Sequence, residues 1–321
     1  MDQNYLINHI QKNYPNLGEI KKIKKIGDFN INSHIYQINS QKSNFVLKIS
    51  NTISSDQLQK ICKIVNFCYK KNIPVLNPIE NKKNQFVNTD TNSFLTEYKD
   101  GTKFNGSEIQ LIEFAKNLAH LHRELKSTSI EYNYRTNQKF WKIIESKELK
   151  KFLCSHLHKP NNELDKKILQ NMNIIQLALT KYEKINENLD HNISNKQLIH
   201  HDLHPNNVLF KSNKVLAIFD FESMRKGFCI NDVAFASFRF ATFQSSNIYK
   251  IKKSLSIFLD SYLQYHELDQ KEVKLFNFYI LEQILSRLSF ILQKRYITNS
   301  NLWISDYDKF IYLLKIALKL F

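Results

Sequence analysis

Residues 198–210 read L-I-H-H-D-L-H-P-N-N-V-L-F, and residues 215–222 read V-L-A-I-F-D-F-E. The first stretch sets His200, Asp202 and Asn207 in an H-x-D-x4-N frame on a loop between two short apolar runs. The second ends an apolar run on Asp220. An isolated H-x-D carries little information. The frame together with a second carboxylate at the tip of a following strand is specific, because it matches what phosphoryl transfer needs. A loop carboxylate can orient an acceptor hydroxyl and take its proton, an effect worth about 10²–10⁴-fold. An amide oxygen and a second carboxylate are hard donors suited to Mg²⁺. Positioning and charge neutralisation supply most of the remaining catalysis, so a cation for the nucleotide phosphates is also required. Lys48, in N-F-V-L-K-I (Asn44–Ile49), is the candidate.

Working outward, the first hundred residues are strand-rich. A short helix is expected up to Pro15. Runs with strand chemistry follow at Ile23–Ile26, His34–Ile38 and Asn44–Ile49, forming an antiparallel meander. Ser54–Ser55–Asp56 caps a helix with Leu58, Ile61, Ile64, Val65 and Cys68 on one face. Asn92–Tyr98 is a further strand, closed by Lys99–Asp100–Gly101. From Ser107 the period becomes 3.6. Helical patterns are read at 107–125, Asn137–Cys154 and Glu163–Ile185, and from Asn231 to the end. The expected organisation is a strand-rich part (1–98) and a helix-rich part (99–321).

Glycine numbers five, against roughly 22 at the average usage of about 7%. Those present are therefore expected where φ is positive or another segment approaches closely. Gly27, Gly101 and Gly227 mark the turns to watch.

Composition excludes several classes. With 42% hydrophobic residues the chain can bury a sizeable core. No apolar run approaches a membrane span, and residues 1–30 lack a signal-peptide core. The four cysteines show no metal-type spacing and fit a reducing, cytoplasmic setting. The net charge of +16 admits a polyanion partner or a general Lys-Asn-Ile bias. The lysines are scattered from end to end, which favours bias, so neither nucleic acid nor membrane is expected as a partner.

These motifs resemble the aminoglycoside phosphotransferase and choline kinase superfamily, over nearly the whole chain. The resemblance implies an α+β, two-lobed, protein-kinase-like fold with a small antiparallel-sheet lobe and a mainly helical one. It implies a cytoplasmic, ATP-dependent small-molecule kinase, monomeric or homodimeric, that moves the γ-phosphoryl group to a hydroxyl of an amino alcohol, sugar or aminoglycoside. GTP is the other candidate nucleotide and Mg²⁺ the metal. By the same match Asp202 is the catalytic base, His200 supports its loop, and Asn207 and Asp220 are metal ligands. Lys48 contacts the α- and β-phosphates, with Gly27, Asn32 and Ser33 nearby. Backbone groups of Glu97 and Lys99, in L-T-E-Y-K-D-G, meet the adenine edge. Asp232, after Gly227, braces the catalytic loop, and Glu222 matches an acidic position that meets a cationic acceptor. H-H-D in place of H-R-D, Phe-Glu after Asp220, and the short Asp220–Asp232 interval resemble small-molecule rather than protein kinases. One departure stands out: the helix after Lys48 has no glutamate, only Asp56, with Gln59 near the expected position, so that Gln59, Asp56 or another acid partners the lysine.

Other readings compete for the same residues. H-H-D-x-H alone suits a zinc hydrolase, but leaves Asn207, Asp220 and Lys48 unexplained. Asx-turns and caps account for Asp202, Asn207 or Asp220 singly, and poorly for all three together. A pseudokinase scaffold would bind nucleotide without turnover.

Overall fold

In the computed structural model, residues 3–29, 33–132, 162–187, 196–243, 245–296, 300–301 and 303–321 are described. The helix read at Asn137–Cys154 and nucleotide-loop residue Asn32 lie outside them. The chain forms two compact units, Met1–Tyr134 with Leu198–Lys226, and Arg135–Gln197 with Gly227–Phe321.

The first unit is built on an antiparallel sheet. Helix α1 (Gln3–Asn13) leads into β1 (Ile20–Phe29), β2 (Ser33–Ser40) and β3 (Asn44–Ser50). Helix α2 (Ser55–Lys70) follows, then β4 (Pro78–Ile79), β5 (Val87–Asn88) and β6 (Ser93–Glu97). The strand order is β1-β2-β3-β6-β4, with β5 also on β6. Alternation in β3 explains its placement. Phe45, Leu47 and Ile49 are buried in a core with Leu6 and Ile10 of α1 and Ile38 and Leu95 of the sheet. Strand period two then turns Val46 and Lys48 to the other face. There α2 packs Leu58 and Cys62 against Phe86 and Val87, with Phe94 alongside. Ser54 caps α2 as expected, its side chain accepting from the Gln57 N–H. Each buried Leu or Ile on α2 contributes about 1.5–3 kcal/mol, more than the helix's own propensity.

The same unit takes in the second decisive stretch. Strand β7 (Gln197–Ile199) enters the loop, and β8 (Val208–Lys211) and β9 (Lys214–Ile218) form a hairpin. Two bridges tie this hairpin to the earlier chain. Thr102 and Phe210 exchange both backbone bonds at 2.8 Å, and the Ile218 N–H donates to the Pro74 carbonyl at 2.7 Å. Gly101 makes the first bridge sterically feasible. A Cβ there would stand 2.8 Å from Leu216 Cδ2 and 3.0 Å from the Phe210 carbonyl. Helix α3 (Glu108–Ser127), capped by Ser107, begins just beyond.

The described part of the second unit is helical: α4 (Glu163–Gln170), α5 (Met172–Asn186), α6 (Cys229–Ala241), α7 (Ile248–Leu263), α8 (Gln270–Lys274), α9 (Phe276–Tyr296) and α10 (Tyr307–Ala317). The pattern read as one helix over Glu163–Ile185 is two. Asn171 leaves helical geometry at φ −104°, ψ 6°, and its side chain donates to the Lys167 carbonyl at 2.8 Å. That local bond offers the backbone an alternative to continuing the helix. Helix α9 is buried along most of its length. Asp165, also buried, accepts a hydrogen bond from the Tyr296 hydroxyl. Among the described residues no helix is long and apolar enough to cross a membrane.

Candidate active site

The loop between β7 and β8 is shaped by its own side chains. His200 is fully buried, its Nε2 3.0 Å from the Phe219 carbonyl and its ring 4.5 Å from that of Phe221. Its Nδ1 lies 3.4 Å from the Asp202 N–H. The imidazole thus joins the start of the loop to the end of β9. Next to it His201 adopts the left-handed region (φ 69°), turning the chain so that Asp202 follows. His204 caps the short turn Pro205–Asn207, its Nδ1 accepting from the Asn206 N–H, while Nε2 lies 3.7 Å from Asp202 Oδ2.

Asn207 is buried and its Nδ2 donates to the Asp202 carbonyl at 2.9 Å. That bond fixes which end of the amide is nitrogen and turns Oδ1 elsewhere, as a cation ligand requires. The Asn207 carbonyl accepts from the Phe219 N–H at 3.1 Å, which sets Asn207 beside the residue preceding Asp220. Asp220 is itself left-handed (φ 69°, ψ 56°) and starts the turn Phe221–Ser223. Its Oδ1 lies 2.7 Å from Lys48 Nζ. Asp202, Asn207, Asp220 and Lys48 are therefore linked in one unit by a continuous set of short contacts. The donors offered, an amide oxygen and a carboxylate, are hard and match a magnesium ion.

Lys48 meets a second carboxylate, Glu222 Oε1 at 2.8 Å. Burial alone would lower the Lys48 pKa, but the two carboxylates outweigh it and hold the ammonium above its ordinary value. For Glu222 burial dominates and raises the pKa, opposed by Lys48. Gln59 does not reach the lysine: its Oε1 accepts from the Val87 N–H at 2.8 Å and anchors β5 to α2. Nor does Asp56, which stands in the first turn of α2. The acids in contact with Lys48 are Asp220 and Glu222, both in the turn after β9.

The other expected positions are distributed along the sheet. Gly27 pairs with Ile35 next to a register shift in the β1–β2 ladder, and Ser33 opens β2, buried, opposite Phe29 and Ser50. Glu97 ends β6, paired with Phe45, and its carboxylate holds Lys99 Nζ at 2.6 Å. Asp232 lies in the first turn of α6, in the other unit. Among the described residues no three His, Cys, Asp or Glu side chains are grouped to hold a metal. Both nitrogens of His200 face backbone groups, which removes it from the zinc-hydrolase reading. Lys103 escaped the sequence reading. Its Nζ donates to the Asn206 carbonyl at 2.6 Å and lies 4.9 Å from the centre of the Phe219 ring, flanking the proposed metal ligands. Its only sequence signal is a cation two residues past Gly101.

The antiparallel sheet and the described helices make the fold α+β, and the family and structural likenesses make the protein a protein-kinase-like, small-molecule kinase. Residues 22–255 match the model of the APH phosphotransferase enzyme family, and the chain belongs to that family. No curated protein matches its sequence. Among solved structures it is similar to spectinomycin phosphotransferase APH(9)-Ia in complex with ADP and spectinomycin. That match has a TM-score of 0.77 and 16% identity over 99% of this chain and 98% of that one. It is similar also to amicoumacin kinase hAmiN bound to AMP-PNP and Ca²⁺, with a TM-score of 0.69 and 14% identity over 99% and 94%. Choline kinase LicA from Streptococcus pneumoniae matches at a TM-score of 0.62 and 11% identity over 98% of each chain.

Proposed function

We propose that the protein transfers the γ-phosphoryl group of ATP to a hydroxyl of a small metabolite of amino alcohol, sugar or aminoglycoside type, in the cytoplasm. The observation that carries this reading is the Lys48–Asp220 contact. It sets a sheet lysine against a carboxylate whose neighbour, Phe219, is bonded to Asn207. Asp202, on the same loop, accepts the proton of the attacking hydroxyl. Lys48 orients the α- and β-phosphates, while Asn207 and Asp220 are the residues that would hold Mg²⁺. The bound ion would offset charge on the transferring phosphoryl oxygens. His200 keeps Asp202 in place through its bond to the Phe219 carbonyl. Gly27 and Ser33 serve the phosphates, and backbone groups of Glu97 and Lys99 take the adenine edge. The LicA and APH(9)-Ia likenesses agree with acceptors of this size.

The test is a coupled ATP-consumption screen over amino alcohols, simple sugars and aminoglycosides, with Mg²⁺ present and Asp202→Asn as the control. Acceptor-dependent consumption lost in the control is the expected result. ATP binding with no acceptor-dependent turnover across the panel would instead mark a nucleotide-binding scaffold.

A further inference from the structure

A desolvated ammonium needs a counter-charge, because an unpaired charge in a protein interior is strongly unfavourable. The Lys48 side chain is 14% exposed and has two candidates, Asp220 and Glu222. They are not equivalent. The Asp220 side chain is 39% exposed, open to a further partner, whereas that of Glu222 is 18% exposed. On the proposed function Asp220 would hold the divalent ion, and its charge would then no longer serve Lys48 alone.

Helix α2 cannot take its place. Gln59 is held by Val87, and Asp56 stands in the first turn. Cys62 of α2, which feels both Lys48 and Glu222, is a buried thiol whose pKa burial pushes up and which stays neutral. From this geometry we infer that Glu222 is the resident counter-ion of Lys48, a positioning residue that holds the ammonium in place while Asp220 engages the metal and nucleotide. The inference rests on the proposed function. It makes the aim of the lysine a property of the turn after β9 rather than of the helix after β3.

Two measurements test it, on wild type, Glu222→Gln, Lys48→Met and the double variant. The first is thermal unfolding without metal or nucleotide. Glu222→Gln lowers the midpoint in the wild-type background and raises it, or leaves it unchanged, in Lys48→Met, where the carboxylate is otherwise buried without its cation. The second is the dissociation constant for Mg·ADP by fluorescent displacement. Glu222→Gln weakens binding about tenfold in the wild-type background and less than twofold beside Lys48→Met, the non-additivity expected of contacting partners. Should Glu222→Gln not fold, the same cycle is read with Glu222→Asp. Weakening of equal size in both backgrounds would overturn the inference, since Glu222 would then act on the metal or elsewhere, independently of Lys48. No weakening in the wild-type background would overturn it too, with Asp220 sufficing. A wild-type protein that binds no nucleotide overturns the proposed function itself, an outcome separate from the other two.

Discussion

Lys48 and Asp220 lie 172 positions apart in the chain and 2.7 Å apart in space. The contact joins β3 to the turn after β9, so the two stretches read as phosphate-binding and metal-binding occupy one compact unit. Replacing either end has a different expected result. Asp220→Asn removes a charge from an exposed carboxylate and leaves Lys48 its Glu222 partner. The protein should stay folded, with turnover lost by about 10²-fold or more. A coupled assay with parallel thermal unfolding checks this; unaltered turnover would remove Asp220 from the metal site.

Asp202→Asn is expected to lower kcat by about 10²–10⁴-fold while changing the unfolding midpoint little. The reason is structural. The Asp202 carbonyl, not its carboxylate, carries the bond to Asn207, and its side chain is 35% exposed. That bond is kept when the charge is removed. Full activity would mean that no base is needed at this position.

Asn207→Ala acts on both fold and site. It deletes the Nδ2 bond to the Asp202 carbonyl in a buried setting, which costs about 1–3 kcal/mol. It also removes the amide oxygen offered to the cation. Urea unfolding should show the stability loss. The Mg²⁺ concentration for half-maximal turnover should rise, and an unchanged requirement would exclude Asn207 as a ligand.

What could be read from the chain alone follows the range of the interaction. The H-x-D-x4-N frame, the alternation in β3, and the Ser54 and Ser107 caps depend on residues a few positions apart, and all were legible. The Lys48 partner was not. The resemblance pointed to the next helix, and Gln59 stands there in sequence, but β5 claims its side chain. The pairing with Glu222 depends on the hairpin being drawn beside β3, which no local pattern encodes. The same holds for Lys103, placed by the Thr102–Phe210 bridge. The break at Asn171 was missed because a side-chain bond to the Lys167 carbonyl outweighed a continuous apolar period. Of the helical stretch after α3, residues 137–161 lie outside those described.

Gly101 was singled out from glycine scarcity, and its neighbours say what a methyl would do. With Leu216 Cδ2 at 2.8 Å, the Phe210 carbonyl at 3.0 Å and Leu209 Cβ at 3.2 Å from the added carbon, two of the three obstacles cannot rotate away. Gly101→Ala should destabilise by about 1–3 kcal/mol through overpacking. Because the strain falls on the bridge that holds β8, turnover should fall as well. A urea midpoint equal to wild type would show that the hairpin yields freely.

Stability should decline in alkali, and the sign follows from buried phenols. Tyr14, Tyr262, Tyr279, Tyr296 and Tyr307 all have pKa values raised above the ordinary 10.0, burial being the first cause in each. Lys48 is likewise held above its ordinary 10.5, its carboxylates outweighing burial. In every case the folded pKa exceeds the unfolded one, so the folded state retains protons that the unfolded chain releases. The stabilisation is complete below about pH 10 and is lost as pH rises beyond it. The urea midpoint should therefore fall between about pH 10 and 12. Absorbance at 295 nm should show these phenols ionising together with the loss of circular dichroism. Tyr262→Phe, which cannot ionise, should reduce the slope of stability against pH in that window. Ionisation of all tyrosines near pH 10 with the dichroism intact would contradict the burial assigned to them.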